Sequence, residues 1–490
     1  MLFTSPVFLF LFLPIVLCVN FAVSHKLQNV CLCLASLLFY FWDETSYTII
    51  MIISIAINYS SALGMAYLRA KMDESKVRWL LIVSVSGNLI LLFYFKYFTF
   101  LMEILDTITL QPIKPIRKVS SIHLPLGISF FTFHGLSYII DVYRNEVQVQ
   151  WNPITLGLYF SFFPQLIAGP IVRYHDVAQQ LINIRKFSRQ EFAQGVVEFT
   201  LGLSKKMLIA NTLGTVADSI FALPFEKVDP WHARLCLLTY TLQIYCDFSG
   251  YSDMAIGLAH MFGIRLSENF NYPYISRSIR EFWRRWHISL SNWFRDYLYI
   301  SLGGNRVSRY RIYLNLLIVF FLCGLWHGAS WNFIVWGLYY GLFLVLERTA
   351  LFTRILNKMP RVLQHLYALT VISIGWVFFR APTLKYSIEF IKILFGLQLY
   401  DSRVILPAKR YLDTKVLIII IFAICGSFGL LSALIQVLKN IPNHFANKHL
   451  QFFANLVLDF FTLVTFVSLF FLSMIAISSG LYNPFIYFRF

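Results

Sequence analysis

Two histidines are the residues of this chain best placed to do chemistry. His327 lies in the apolar run YLNLLIVFFLCGLWHGASWNFIVWGLYYGLF, with no charge back to Arg311 or forward to Glu347. A charge at the centre of a lipid-embedded helix costs about 2.5 kcal/mol or more, so an ionisable group there is normally kept for a reason. On a helix its neighbours three and four positions away are Cys323, Gly324, Ser330 and Trp331, three of them small, which leaves room beside the imidazole for a substrate or a close helix. The alternative is a neutral histidine bonded to a neighbouring helix, with Gly324 and Gly328 as an ordinary packing pair.

His287 lies in RSIREFWRRWHISLSNWFRDYLY. Read as one helix, this stretch has an aromatic stripe, Trp283, Trp286, Leu290, Trp293 and Tyr297, and a cationic stripe, Arg280, Arg284, His287, Ser291 and Arg295. Such a helix can lie at the membrane interface, rings at headgroup level and cations toward phosphate or water. His287 stands at the border of the two stripes, where flanking arginines disfavour its protonated form and leave a neutral imidazole able to accept a proton. Asp247 and Asp253, in LTYTLQIYCDFSGYSDMAIGLAHMFGI, interrupt another apolar stretch and predict a local break or a turn between two spans. Buried carboxylates there can orient an imidazole, bind a cation or cap the broken ends.

Soluble-enzyme signatures are missing: no Walker loop, no G-x-G-x-x-G after a strand, no H-E-x-x-H and no G-x-S-x-G elbow. Two histidines and several polar breaks fit a buried tunnel in which a neutral imidazole removes a proton from a nucleophile attacking an activated acyl group. They also fit a proton-coupled transporter or flippase, although the two corresponding halves such a protein usually shows are not found.

The elements that must position these residues are membrane helices. Of 490 residues, 58% are apolar and only 13% charged, about half the share a soluble surface needs. The 41 Lys and Arg against 24 Asp and Glu gather between apolar runs, as the positive-inside rule expects, and no soluble scaffold offers them a nucleic-acid face. Seven cysteines inside apolar stretches, without C-x-x-C spacing, read as buried thiols. The opening MLFTSPVFLFLFLPIVLCVNFAVSHK reads as a retained first span, and further apolar segments run over 29–42, 48–67, 80–101, 123–140, 154–171, 193–213, 232–262, 311–346, 364–379, 415–438 and 452–479. At about 20 residues per crossing this predicts an all-α polytopic membrane protein of about eleven transmembrane helices. The basic loops 69–79, 173–190 (Arg173, Arg185, Lys186, Arg189) and 265–311 all look cytoplasmic, yet three apolar segments separate the first two. One segment is therefore expected to be re-entrant or split, and 123–140 is the candidate, with Pro125, Gly127 and Gly135 weakening the helix and Ser129, Thr132 and His134 lining a cavity.

The chain resembles the membrane-bound O-acyltransferase (MBOAT) family, in the bacterial branch that includes the alginate O-acetylation proteins. The resemblance rests on LPLGISFFTFHGLSYIIDVYR (124–144), FFPQLIAGPIVRY (162–174), YCDFSGYSDMAIGLAHMFGI (245–264), NFNYPYISRSIREFWRRWHISLSNWFRDYLYISLGGNR (269–306), LCGLWHGASWNFIVWGLYYG (322–341), the C-terminal NPFIYFRF and the opening SPVFLFLFLPI. His134 departs from the glutamine expected after FTF. The resemblance implies a single membrane domain over 1–490, with N-terminal spans in 1–110, a catalytic core in 120–350 and C-terminal spans in 360–490, its helices ringing a funnel or tunnel. It implies His327 as the intramembrane catalytic histidine and general base, and His287 as the second, positioning or polarising the acyl carrier from the cytoplasmic side. Asp247, Asp253, Trp286, Trp326 and Asn332 would support them, while Arg280, Arg284, Arg285 and Arg295 would attract the donor's phosphates. The implied reaction moves acetyl from cytoplasmic acetyl-CoA toward hydroxyls of an extracytoplasmic polysaccharide, in a bacterial inner membrane, with an extracytoplasmic serine-hydrolase-like partner and neither metal nor resident cofactor. D-alanyl transfer to teichoic acid is the alternative within the family.

Overall fold

The computed structural model describes residues 1–109, 123–185, 187–397, 408–444 and 447–480, and among these the chain is helical, with no strand. NPFIYFRF and Lys186 lie outside the described residues. The elements that matter for the site are α1 (Thr48–Ala70), α2 (Glu74–Lys96), α3 (Ile128–Tyr143), α4 (Arg189–Ser204), α5 (Pro230–Met261), α6 (Arg309–His327), α7 (Trp331–Arg348), α8 (Arg361–Arg380) and α9 (Lys448–Ser478).

Five of the described helices, α1, α2, α6, α8 and α9, are long and apolar enough to cross a membrane. The number rises to seven if α7 with Ala350–Lys358, bent by 81°, and Thr414–Ser427 with Leu430–Asn440, bent by 72°, each count as one crossing. The chain is thus multi-pass, but length and apolarity alone do not reach about eleven. Several of the other segments fall on helices that are short or interrupted by polar groups: Phe8–Ala22 is a shorter apolar helix, and α3 has 16 residues, nearly all buried in protein.

α3 is the axis around which the first half packs. It begins at Gly127, whose positive φ of 71° turns the chain, and a Cβ there would come within 2.7 Å of the Leu166 carbonyl oxygen. Gly135 brings α3 against a reciprocal amide pair joining α1 to α2, in which Asn58 and Asn88 exchange hydrogen bonds at 3.1 and 3.0 Å. The 123–140 stretch is therefore an extended entry followed by one continuous helix. Ser129 reaches a cavity, whereas His134 is fully buried with its ring 5.1 Å from that of Tyr159.

Three further expectations change. The 311–346 run is two helices, α6 and α7, folded into a hairpin by the turn Gly328–Ser330. Ser330 and Trp331 consequently do not share a helix with His327, and Gly324 packs against Gly337 of α7, with Gly328 against the Phe333 ring. α5 is continuous through Asp247 and Asp253, because their carboxylates meet Lys206 and Lys205, each at 2.6 Å, from the π-helical turn Lys205–Ala210 that follows α4. The irregularity lies in the neighbouring element, where it aims two lysines at α5. Finally, the stretch read as one amphipathic helix is broken, with helix at Ile279–Arg285 and Ile288–Trp293 and His287 between them at φ 44°.

Candidate active site

His287 occupies the break because the chain before it holds it there. Asn271 N–H donates to the Arg285 carbonyl at 2.9 Å and Ile288 N–H to the Asn269 carbonyl at 3.0 Å, clamping 269–271 against 285–288. A left-handed conformation costs a non-glycine residue about 1–2 kcal/mol, which this clamp offsets. The imidazole is fully buried and has no ion-pair partner among the described residues, so it is burial of an uncompensated charge, more than the flanking arginines, that favours the neutral form.

Its tautomer follows from its neighbours. The Asn269 side-chain oxygen accepts the Ser289 backbone N–H at 3.1 Å, which fixes that atom as oxygen, and it also accepts the Ser289 hydroxyl at 2.9 Å. His287 Nδ1 lies 3.2 Å from the same oxygen and must therefore donate to it. Nε2 is left as a buried lone pair with no hydrogen-bond partner. A neutral His287 in this tautomer can take a proton at Nε2 but cannot donate from it to polarise a carbonyl.

His327 closes α6. It is 5% exposed, and its ring meets those of Trp326, Trp336 and Phe379 edge-on at 4.9, 4.9 and 5.2 Å. Trp326 contacts both histidines, its ring centroid lying 6.1 Å from that of His287. Phe133 stacks on Trp326 at 5.4 Å and on Trp293 at 3.7 Å, tying α3 to the broken segment. The chain thus brings the two predicted histidines into one aromatic nest. Trp286 supports it through Phe270, at 5.0 Å, and Trp376, at 4.8 Å. Asn332 donates to the Ala381 carbonyl at 2.6 Å, holding the start of α7 to the end of α8.

A cavity of about 290 Å³ opens on His327, lined by Lys96, His123, Gly127, Ser129 and Trp326 among others. It lies at the ends of α2 and α6 remote from the basic loops 69–79 and 306–311, where both helices begin. The predicted arginines sit elsewhere. Arg280 and Arg284 are exposed at their tips, and partial desolvation of Arg280, followed by the nearby charges of Arg284 and Arg348, lowers its pKa. Arg285 is paired with Glu281 at 3.1 Å and Arg295 with Asp296 at 2.6 Å. Two of the four thus have carboxylate partners, while Arg348 joins the group. Asp247 and Asp253 are engaged by Lys206 and Lys205.

Sequence reasoning missed Lys96, Asn269, Ser289 and Arg348. Lys96 ends an apolar helix and reads as a boundary charge; Asn269 and Ser289 gain meaning only once the break at His287 is known. One group has metal-ligand character among the described residues: atoms of Asp141, Glu146 and His175 lie within 4.8 Å of one another. Each already has a partner, however. Tyr297 donates to Asp141 at 2.7 Å, Arg144 approaches Glu146 at 3.8 Å, and His175 lies between Asp141, at 3.0 Å, and Asp176, at 3.3 Å.

Comparison with known proteins identifies the family of the chain. The membrane-bound O-acyltransferase family matches residues 37–384. A protein of Azotobacter vinelandii named "probable alginate O-acetylase AlgI" is 39% identical, with all of both chains covered. The like-named protein of Pseudomonas aeruginosa is 44% identical over 81% of this chain and 75% of its own. The peptidoglycan O-acetyltransferase of Helicobacter pylori is 36% identical over 81% of this chain and 80% of its own. An all-helical membrane chain that gathers two buried histidines at one tryptophan, matched over most of its length, belongs to the membrane-bound O-acyltransferase family of acyltransferases.

Proposed function

We propose that this chain O-acetylates an extracytoplasmic polysaccharide from within a bacterial inner membrane, taking acetyl from cytoplasmic acetyl-CoA. The observation that carries the reading is the pair of imidazoles gathered at Trp326, with a cavity on His327 and exposed guanidinium groups at the opposite end of the α6–α7 hairpin. Relatives named for alginate and peptidoglycan acetylation support it.

In the proposed step the acceptor hydroxyl attacks the thioester carbon, forming a C–O bond as the C–S bond breaks, and the hydroxyl proton passes to a histidine and then to the departing thiolate. His327, facing the cavity, is assigned the proton from the acceptor. His287 is assigned an accepting role at Nε2 on the donor side, in place of carbonyl polarisation. Arg280, Arg284 and Arg348 are suited to the donor's phosphates, because guanidinium groups bond phosphate oxygens in pairs. The chain supplies no soluble transferase domain among its described residues, so an extracytoplasmic partner carrying acetyl onward to the sugar belongs to the proposal. D-alanyl transfer to teichoic acid would use the same histidines. Replacing His327 by Ala in a host that acetylates its surface polymer tests the assignment: polymer acetyl content should vanish while the protein accumulates normally, and retained acetylation would overturn it.

A further inference from the structure

The proposed acyl transfer leaves one task unassigned, since the tautomer of His287 cannot polarise a carbonyl, and the cavity on His327 holds a cation without a task. Lys96 Nζ donates to Ser129 Oγ at 3.2 Å and to the Trp326 carbonyl, and lies 5.7 Å from the centre of the Trp326 ring. Lys96 closes α2 and Trp326 is the penultimate residue of α6, so the ammonium sits at two helix C-termini, whose negative ends stabilise a cation. No carboxylate comes within salt-bridge distance of it among the described residues; the acid at the rim, Glu44, is taken by His123 at 3.0 Å and by Leu126 N–H at 3.2 Å. An ammonium has three N–H donors, and two are accounted for. The Ser129 hydroxyl accepts from Lys96, which leaves its own hydrogen to give. Two donors 3.2 Å apart can converge on one oxygen, and both residues line the cavity together with His327. The bond to the Trp326 carbonyl ties the ammonium to the residue next to the imidazole, so cation and base are held at one helix end.

We infer that Lys96 is a catalytic residue of the acyl transfer, binding the acyl oxygen together with Ser129 as that oxygen becomes negative. The inference deepens the proposed reaction and rests on it. When the acceptor hydroxyl attacks the thioester carbon, a C–O bond forms, the carbonyl π pair moves onto oxygen, and His327 takes the hydroxyl proton. The oxygen then carries a full negative charge, against a partial one in the thioester, so donors already in place stabilise this state more than the ground state. The pair then returns, the C–S bond breaks, and the proton passes from His327 to the departing thiolate. Lys96 ends the cycle with the protons it began with.

The test uses inverted membrane vesicles from a host that acetylates its surface polymer, so that the full chain works on the acceptor it meets there. Radiolabelled acetyl-CoA is supplied outside, and initial rates of label transfer to vesicle-bound acceptor are normalised to the amount of protein. Lys96→Met should lower kcat and kcat/KM together by about 10²–10³-fold with the KM for acetyl-CoA unchanged, the mark of a contact made only in the transition state. Ser129→Ala should lower both by less. Tyr97→Phe is the structural comparison: Tyr97 Oη donates to the Leu325 carbonyl at 2.9 Å, so its loss loosens the same helix end without removing a charge. Lys76→Gln, exposed at the far end of α2, should leave the rates unchanged. Lys96→Cys should be as slow as Lys96→Met, recover most of its rate when bromoethylamine restores an ammonium, and stay slow when iodoacetamide adds a neutral amide. Each is compared with the wild type treated alike, and this arm decides the matter if Lys96→Met fails to accumulate. A loss in Lys96→Met no greater than in Tyr97→Phe, a loss confined to KM, or no recovery on aminoethylation would overturn the inference while the acyl-transfer reading stands. No label transfer by the wild type would sink that reading, and the inference with it.

Discussion

His287 Nδ1 lies 3.2 Å from the side-chain oxygen of Asn269, an oxygen that also receives both the backbone N–H and the hydroxyl of Ser289. With that oxygen accepting from the Ser289 backbone, Nδ1 is placed to donate to it, and Nε2 is left as the ring's buried lone pair. The same residues build the break in the helix, so conformation and protonation are fixed together.

Removing that oxygen should free the ring to adopt either tautomer. Asn269→Ala is expected to lower acetyl transfer about 10–100-fold, the usual effect of losing an orienting partner of a working histidine. Asn269→Asp keeps the acceptor and adds a charge that favours the imidazolium, so it should retain more activity and move the acid limb of the pH–rate profile upward. An Asn269→Asp profile that overlays the wild type would contradict the tautomer argument.

His287→Ala removes the accepting lone pair itself. If this histidine handles a proton, transfer should fall by about 10²–10⁴-fold, while membrane accumulation and helical content stay at wild-type levels. A fall no larger than that of Trp286→Phe would assign His287 to packing instead.

The histidines were legible in the sequence because ionisable groups inside apolar runs are costly and conspicuous, and family resemblance pointed to the same pair. The breaks were not. Asp247 and Asp253 predicted an interruption of their own helix, but polarity within a helix signals a missing partner as readily as a missing turn, and the partners, Lys206 and Lys205, lie more than 40 residues upstream. His287 showed the opposite error. Its stripes suited an unbroken helix, and the clamp from Asn269 and Asn271 that breaks it is a contact between segments with no local periodicity. Lys96 was hidden at the end of a span, where a lysine normally reaches for water.

Asp247 and Lys206, 1% and 3% exposed, are a buried pair, and removing one charge strands the other. Asp247→Ala should cost about 3–5 kcal/mol, read as a large loss of melting temperature in detergent. The more exposed pair Asp253–Lys205 should tolerate the same change with a loss nearer 1 kcal/mol. Equal losses at the two sites would deny the role of burial.

The α6–α7 hairpin gives a steric prediction. A Cβ on Gly324 would collide with the Phe333 carbonyl, and one on Gly337 with the Phe320 carbonyl, so either alanine must push the helices apart. The expected cost is about 1–3 kcal/mol in thermal unfolding, with reduced transfer because His327 is only three residues beyond Gly324. Gly87, where an added Cβ would meet nothing within 4 Å, is the control, and Gly87→Ala should be neutral or slightly stabilising.

His175 gives a prediction in pH. Hydrogen bonds to Asp141 and then Asp176 raise its pKa from 6.5 to about 9, so it is protonated at neutral pH in the folded protein. A group whose pKa is raised on folding stabilises fully below its unfolded value and loses that contribution as pH climbs through the folded one. The side chain is 29% exposed, so solvent screening reduces the stabilisation to about 1–2 kcal/mol. His175→Gln should therefore melt roughly 1–2 °C below the wild type at pH 6, and the two curves should converge by about pH 10. A gap that is constant from pH 6 to 10 would mean that the ring contributes by packing, and that its charge does not hold Tyr174–Ile182 to α3.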